Sequence, residues 1–102
     1  MYLIAGLGNP EIDYANTRHN MGFNVINKLA QKYEIEVTKN NFKGLYGSGI
    51  IEGKKVILLK PQTFMNLSGE SILAIKNFYK INIEDILVIY DDIDTEPRKD
   101  KN

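Results

Sequence analysis

The residues of this 102-residue chain that can do chemistry are one histidine, a run of aspartates and two asparagines. His19 is the single histidine, and it stands directly ahead of a segment whose apolar spacing reads as a helix. The positive end of a helix dipole disfavours a second positive charge, which keeps an imidazole there neutral and able to accept a proton near pH 7. A neutral imidazole is a usable general base; a surface or capping histidine is the other reading of the same position. Asp91 follows an apolar, strand-like run, so its carboxylate can reach across strand ends to orient a histidine and stabilise its protonated form. Closing a turn or capping a helix is the alternative for that aspartate. Asn9 and Asn66 lie in loop stretches, where their amides can donate to a carbonyl oxygen or fix a substrate's backbone, or can serve as turn and cap residues. Tyr14 and Phe64 are aromatic residues in the same stretches, suited to stacking on a base or to burial.

Other chemistries find less support. Asp91-Asp92-Ile93-Asp94 can be written as a site for a hard cation such as magnesium in a phosphoesterase, but no second acidic cluster backs it elsewhere in the chain. Gly6-Leu7-Gly8 after an apolar run is a partial dinucleotide fingerprint, with Glu11 where the third glycine belongs and Pro10 distorting the turn. The absence of cysteine excludes disulfides, thiolate nucleophiles and the usual structural zinc sites.

Elements able to position these residues follow from the apolar pattern. Tyr2 to Gly6 reads as a buried strand stopped by Gly8-Asn9-Pro10. From Asn20, a plausible N-cap, Phe23, Ile26, Ala30 and Tyr33 recur at helical spacing. Leu45 to Glu52 and Lys55 to Lys60 read as strands joined at Gly53-Lys54, a hairpin. Pro61 ends the second run, and a loop through Asn66 leads to a helix carrying Ile72, Ile75 and Tyr79, capped by Asn66 or Ser68. Ile86 to Tyr90 is a continuous β-branched-rich run, as expected of a central strand covered on both faces. Alternating strands and helices predict an α/β fold with a mixed, mainly parallel sheet flanked by helices. Ligands of such sheets bind beyond the carboxyl ends of the strands, which is where the stretches holding Asn9 to His19, Pro61 to Asn66 and Asp91 to Asp94 should gather.

The length suits one domain, and 43% hydrophobic with 25% charged residues is a globular composition. Residues 1–94 are expected to form this α/β domain, with 95–102 a disordered tail. The formal net charge is zero, yet Lys39, Lys43, Lys54, Lys55, Lys60, Lys76 and Lys80 face only Glu52 and Glu70 in the middle of the chain. That stretch suits either contact with phosphates or a solvated lysine face. No leader-like or membrane-spanning apolar run is present, so a cytoplasmic protein is expected.

Several segments together resemble the bacterial-type peptidyl-tRNA hydrolases. They are Gly6-Leu7-Gly8-Asn9-Pro10, Tyr14 with Thr17-Arg18-His19-Asn20, Lys60-Pro61-Gln62-Thr63-Phe64-Met65-Asn66-Leu67-Ser68-Gly69, and Tyr90-Asp91-Asp92-Ile93-Asp94. Their order and spacing match over Met1 to Asp94. The resemblance implies hydrolysis of the ester between a peptide's carboxyl end and the 3′ ribose of tRNA. It makes His19 the base that activates water and Asp91 the carboxylate that orients it. Asn9 and Asn66 would position the ester carbonyl and peptide, Met65 would line the site, and Tyr14 would lie near the 3′ end of the tRNA. It implies no metal or organic cofactor, tRNA as partner, and no membrane.

The chain also departs from that pattern. Family members run to nearly twice this length and continue with a glycine-rich G-G-H-N-G segment, further strands and helices, and much of the basic surface that grips tRNA. A truncated hydrolase and a non-catalytic remnant or RNA-binding module of the same fold are therefore both expectations. Family members are usually monomeric, whereas an unpaired strand edge in a truncated chain favours self-association.

Overall fold

The computed structural model describes residues 1–8, 21–62 and 68–90. Among these residues the sheet has five strands in the order β2-β3-β4-β1-β5: β1 is Tyr2–Gly6, β2 Lys39–Asn41, β3 Gly44–Ile51, β4 Lys54–Pro61 and β5 Ile86–Ile89. Two helices, α1 (Met21–Tyr33) and α2 (Ser68–Tyr79), flank it. The three strands β4, β1 and β5 run parallel, while β2, β3 and β4 pair antiparallel, so the expected mixed sheet is present.

Alternation along β1 and β4 divides the core between the two faces. Leu3, Ala5, Ile57 and Leu59 pack with Ile75 of α2 and with Ile81. On the other face, Ile4, Val56 and Leu58 pack with Ile26 of α1 and with Ile35. A strand's side chains point to opposite faces with a period of two, so an apolar run such as Val56-Ile57-Leu58-Leu59 can supply both clusters at once.

Both helices stop on the same device. Glu34 and Lys80 adopt left-handed backbone conformations, with φ of 57° and 56°. The next amide in each case reaches back to close the helix: Ile35 N–H donates to the Ala30 carbonyl at 2.9 Å, and Ile81 N–H to that of Lys76 at 3.0 Å. These are Schellman closures, and the apolar residue after each turn, Ile35 or Ile81, plugs into the core.

The hairpin predicted between β3 and β4 forms, with its two-residue turn at Glu52-Gly53, one position ahead of the expected one. Both residues have positive φ, 53° and 80°, the twist that suits a tight hairpin and that glycine adopts without strain. Pro61 ends the run as expected, as the last residue of β4 and still paired with Gly44. Strand β2 was not expected. It joins β3 through Phe42-Lys43, again with two positive φ values, 55° and 58°.

Two further expectations need correction. Ser68 is the first residue of α2, with its hydroxyl buried and unpartnered among the described residues, so it is not the cap; Asn66 and the proposed cap Asn20 lie outside the described residues. The run Ile86 to Ile89 forms an edge strand paired only with β1 among the described residues. Leu87 is 55% and Val88 37% exposed. Its apolar sequence matches a strand covered on both faces, but neither α1 nor α2 extends over it far enough to bury those side chains. The expected tail, residues 95–102, also lies outside the described residues.

Candidate active site

The carboxyl ends of β1, β4 and β5 lie at one end of the sheet, and each leads into a segment outside the described residues. Asn9, Tyr14 and His19 lie in 9–20, Phe64, Met65 and Asn66 in 63–67, and Asp91, Asp92 and Asp94 in 91–102. What the structure defines is the frame from which these three segments spring.

That frame is tight. Gly22, in the first turn of α1, packs on the backbone of Leu7 and on the carbonyl oxygen of Ile89, where a Cβ would collide. The Leu7 amide in turn donates to the Ile89 carbonyl at 2.9 Å, extending the β1–β5 pairing past Gly6. Only a residue without a side chain lets a helix start this close to two strand ends. Gly22, three residues beyond His19, is thereby held against Ile89 at the end of β5, two residues before Asp91. The first turn of α1 carries no acidic residue, so nothing there offsets the positive end of its dipole.

Gln62 and Glu70, on either side of residues 63–67, are both held by the β2–β3 turn. Gln62 N–H donates to the Lys43 carbonyl at 2.9 Å, and the Lys43 ammonium reaches Glu70, in the first turn of α2, at 2.7 Å. Both members of that ion pair are more than half exposed, so the contact adds little stability. Its consequence is geometric: departure from β4 and entry to α2 are tied to one turn.

A cation stands beside this frame. Lys60, near the end of β4 and on the α1 side, donates from Nζ to Asn27 Oδ1 at 2.9 Å and lies 5.8 Å from the centre of the Phe23 ring. Burial lowers the pKa of its ammonium from the ordinary 10.5. In the sequence Lys60 is one of several lysines and opens the Lys60 to Gly69 segment, with no role of its own assigned to it. The available signal was its position, a charge that follows the buried Val56-Ile57-Leu58-Leu59 run and shares the face of Val56 and Leu58. Asn27 and the Phe42-Lys43 turn gave no such signal.

Elsewhere, a hollow of about 470 Å³ is lined by Tyr2, Ile4, Val56 and Leu87 and rimmed by Glu52, Lys54, Glu84 and Asp85. It lies at the amino ends of the strands, the opposite end from His19 and Asp91 in sequence order, and has no part in the frame. Among the described residues, no three His, Cys, Asp or Glu side chains are gathered to hold a metal ion, and no helix is long and apolar enough to cross a membrane.

Comparison with known proteins identifies the architecture. Residues 3–101 match the family described as peptidyl-tRNA hydrolase, past the Asp94 at which the motif resemblance stops. A peptidyl-tRNA hydrolase from Clostridium acetobutylicum is 61% identical over 99 residues, covering 97% of this chain and 53% of that protein. One from Agathobacter rectalis is 59% identical over 98 residues, covering 95% and 53%. The crystal structure of peptidyl-tRNA hydrolase from Acinetobacter baumannii superposes with a TM-score of 0.83 at 48% identity, covering 95% of this chain and 50% of that one. The chain thus spans about half the length of the relatives it matches. Agreement in sequence and in backbone course, running through all three strand ends, leaves one conclusion: this chain belongs to the peptidyl-tRNA hydrolase family.

Proposed function

We propose that this chain carries the hydrolytic centre of a peptidyl-tRNA hydrolase, with tRNA as its partner and the cytoplasm as its compartment. The substrate is the ester joining a peptide's carboxyl end to the 3′ ribose of tRNA. His19 takes a proton from water as the water oxygen attacks the ester carbonyl. The tetrahedral intermediate then collapses, and the imidazolium returns that proton to the departing 3′ oxygen. The products are a free peptide acid and tRNA. Asp91 orients the imidazole and stabilises its protonated form. Asn9 and Asn66 hold the ester carbonyl and the peptide, Met65 lines the site, and Tyr14 lies near the 3′ end of the tRNA. An ester needs only an activated water, a polarised carbonyl and a leaving alcohol that can be protonated, so this set is sufficient without a cofactor.

The observation that carries this reading is the packing of Gly22 on Ile89. It ties the chain just after His19 to the chain just before Asp91, as a histidine–carboxylate pair requires. The dipole of α1, unopposed by acidic residues in its first turn, favours the neutral imidazole.

The test is cleavage of peptidyl-tRNA by this chain and by His19→Ala, each with and without a chelator. Loss of a positioned general base lowers the rate by about 10²–10⁴-fold, and the chelator should change nothing. Activity surviving His19→Ala would sink the assignment, and activity abolished by chelator would favour a cation held by Asp91, Asp92 and Asp94. A second reading is a non-catalytic RNA-binding module of the same fold. It predicts tRNA binding without cleavage in both proteins.

A further inference from the structure

We propose that Lys60 is a binding residue for the 3′ end of tRNA, its ammonium taking the phosphodiester that joins the terminal nucleoside to the rest of the strand. The inference rests on the substrate proposed above and adds a contact that the histidine–carboxylate chemistry does not use.

Lys60 pairs with Leu45, one step before the last pair of β4, so it stands near the carboxyl end of the strand, where ligands of such sheets bind. Alternation puts its side chain on the face of Val56 and Leu58, under α1. The first turn of α1 touches two strand ends. Gly22 packs on the carbonyl oxygen of Ile89 at the end of β5, and the ring of the next residue, Phe23, lies 5.8 Å from Lys60 Nζ. With β1 between β4 and β5, the two ends are separated by two strand spacings, about 10 Å. A terminal nucleotide whose ester lies between the strand ends can therefore reach Lys60 with its own phosphate.

The way the ammonium is held points to an anion. Phe23 and Asn27 are neighbours one helical turn apart on α1. Together they present a ring and an amide oxygen, Asn27 Oδ1, which accepts from Nζ at 2.9 Å. Both partners are neutral, so they fix the charge in place without cancelling it, and the bond to Asn27 uses one of the three ammonium donors. Desolvation of the charge opposes folding, and burial lowers its pKa accordingly. An apolar side chain of similar length would cover the same surface without that cost. A charge kept at a cost beside a strand end marks a binding site.

The substrate narrows the choice of anion. Its scissile ester and peptide amides are neutral, whereas the phosphodiester on the 5′ oxygen of the terminal ribose is a permanent anion on the sugar that carries the ester. Holding that phosphate sets the ribose, and with it the 3′ oxygen, against the strand ends. A half-buried ammonium attracts it more strongly than exposed lysines such as Lys54 and Lys55 do.

Binding tests this without cleavage. The probes are the trinucleotide CpCpA and the same trinucleotide with an uncharged methylphosphonate at the linkage to its terminal adenosine. They are titrated into the parent, Lys60→Met and Lys60→Arg. In the parent, the methylphosphonate should weaken binding by roughly 10-fold, the loss of one charge-assisted hydrogen bond. Lys60→Met should weaken CpCpA by a similar factor and lose nothing further to the methylphosphonate, because the two changes remove the same contact. Lys60→Arg should retain most of the parent's affinity and its response to the methylphosphonate. An equal response to the methylphosphonate in the parent and in Lys60→Met would overturn the proposal while leaving tRNA as the partner. A parent that does not bind CpCpA would overturn both. A loss in Lys60→Met confined to an N-acetylated peptide acid would give the ammonium to the product carboxylate and overturn the phosphate assignment.

Discussion

Burial of the Lys60 ammonium opposes folding, and its position beside the strand ends suggests what the cost serves. With its pKa held below 10.5 by desolvation, the unfolded chain binds more protons than the folded one between the folded value and 10.5. Stability therefore rises as pH climbs through that window, and below it the full cost of burying the charge is present. Asn27 Oδ1 at 2.9 Å and the Phe23 ring offset part of that cost. Lys60→Met should be as stable as the parent at neutral pH, or more stable, and should lose the stability gain on approach to pH 10.5. If Lys60 meets a tRNA phosphate, the variant should also weaken tRNA binding and lower the slope of log affinity against log salt by about 1. Urea melts across pH and tRNA titrations across salt check the two halves separately. Lower stability with an unchanged salt slope would assign Lys60 to holding α1 against β4 and nothing more.

At the scale of elements, three of the tight turns are built without the residue that suits them best. Glu34 and Lys80 close α1 and α2 in the left-handed region, where a side chain costs roughly 1–2 kcal/mol relative to glycine. Glu34→Gly and Lys80→Gly should each raise stability by about 0.5–1 kcal/mol, a shift of roughly 4–8 °C in midpoint per kcal/mol for a domain of this size. A thermal melt of each variant, and of the double variant for additivity, decides this. A fall in midpoint would mean that the side chains do more than tolerate the turn. The same chemistry explains what the sequence concealed. The Glu52-Gly53 turn was visible because one of its residues is glycine and apolar runs flank it. Phe42-Lys43 has neither glycine nor asparagine in its two central positions, and β2 is exposed along its length, so no alternation marked it. Part of what holds that turn lies far off in sequence: Phe42 packs at 5.3 Å from the nearby Tyr46 and at 5.2 Å from Phe78 of α2 between ring centres. Position in the sheet was hidden for a similar reason. The apolar run of β5 reports which residues prefer to be covered, whereas edge or centre depends on which elements are present to cover them. For the site, the loops could be placed at the strand ends from sequence alone, because a parallel βα succession sends them there, but the glycine contact that draws Gly22 onto Ile89 is set by packing between elements distant in the chain.

On the scale of the whole molecule, the sheet is a shared wall between two apolar clusters with separate helices. Ile75 of α2 lies in one cluster and Ile26 of α1 in the other, both fully buried. Alternate residues of β1 and β4 feed both clusters, so losing either helix uncovers one face of the same strands and strips those strands of half of their packing. Each cluster therefore depends on the other, and unfolding should be a single transition. Ile26→Ala and Ile75→Ala should each cost about 2–4 kcal/mol and each move that one transition as a unit. The chain has no tryptophan, so tyrosine fluorescence is a clean probe. Tyr46 and Tyr79 report on the cluster under α2, and Tyr33 on the one under α1. Fluorescence and far-ultraviolet circular dichroism should give coincident curves for both variants. A split in which Ile26→Ala melts the α1 side first while the Tyr46 signal persists would show the faces to be independent. In that case the frame that joins the start of α1 to the end of β5 could open while the rest of the sheet stands, and the residues flanking His19 and Asp91 would separate before the protein unfolds.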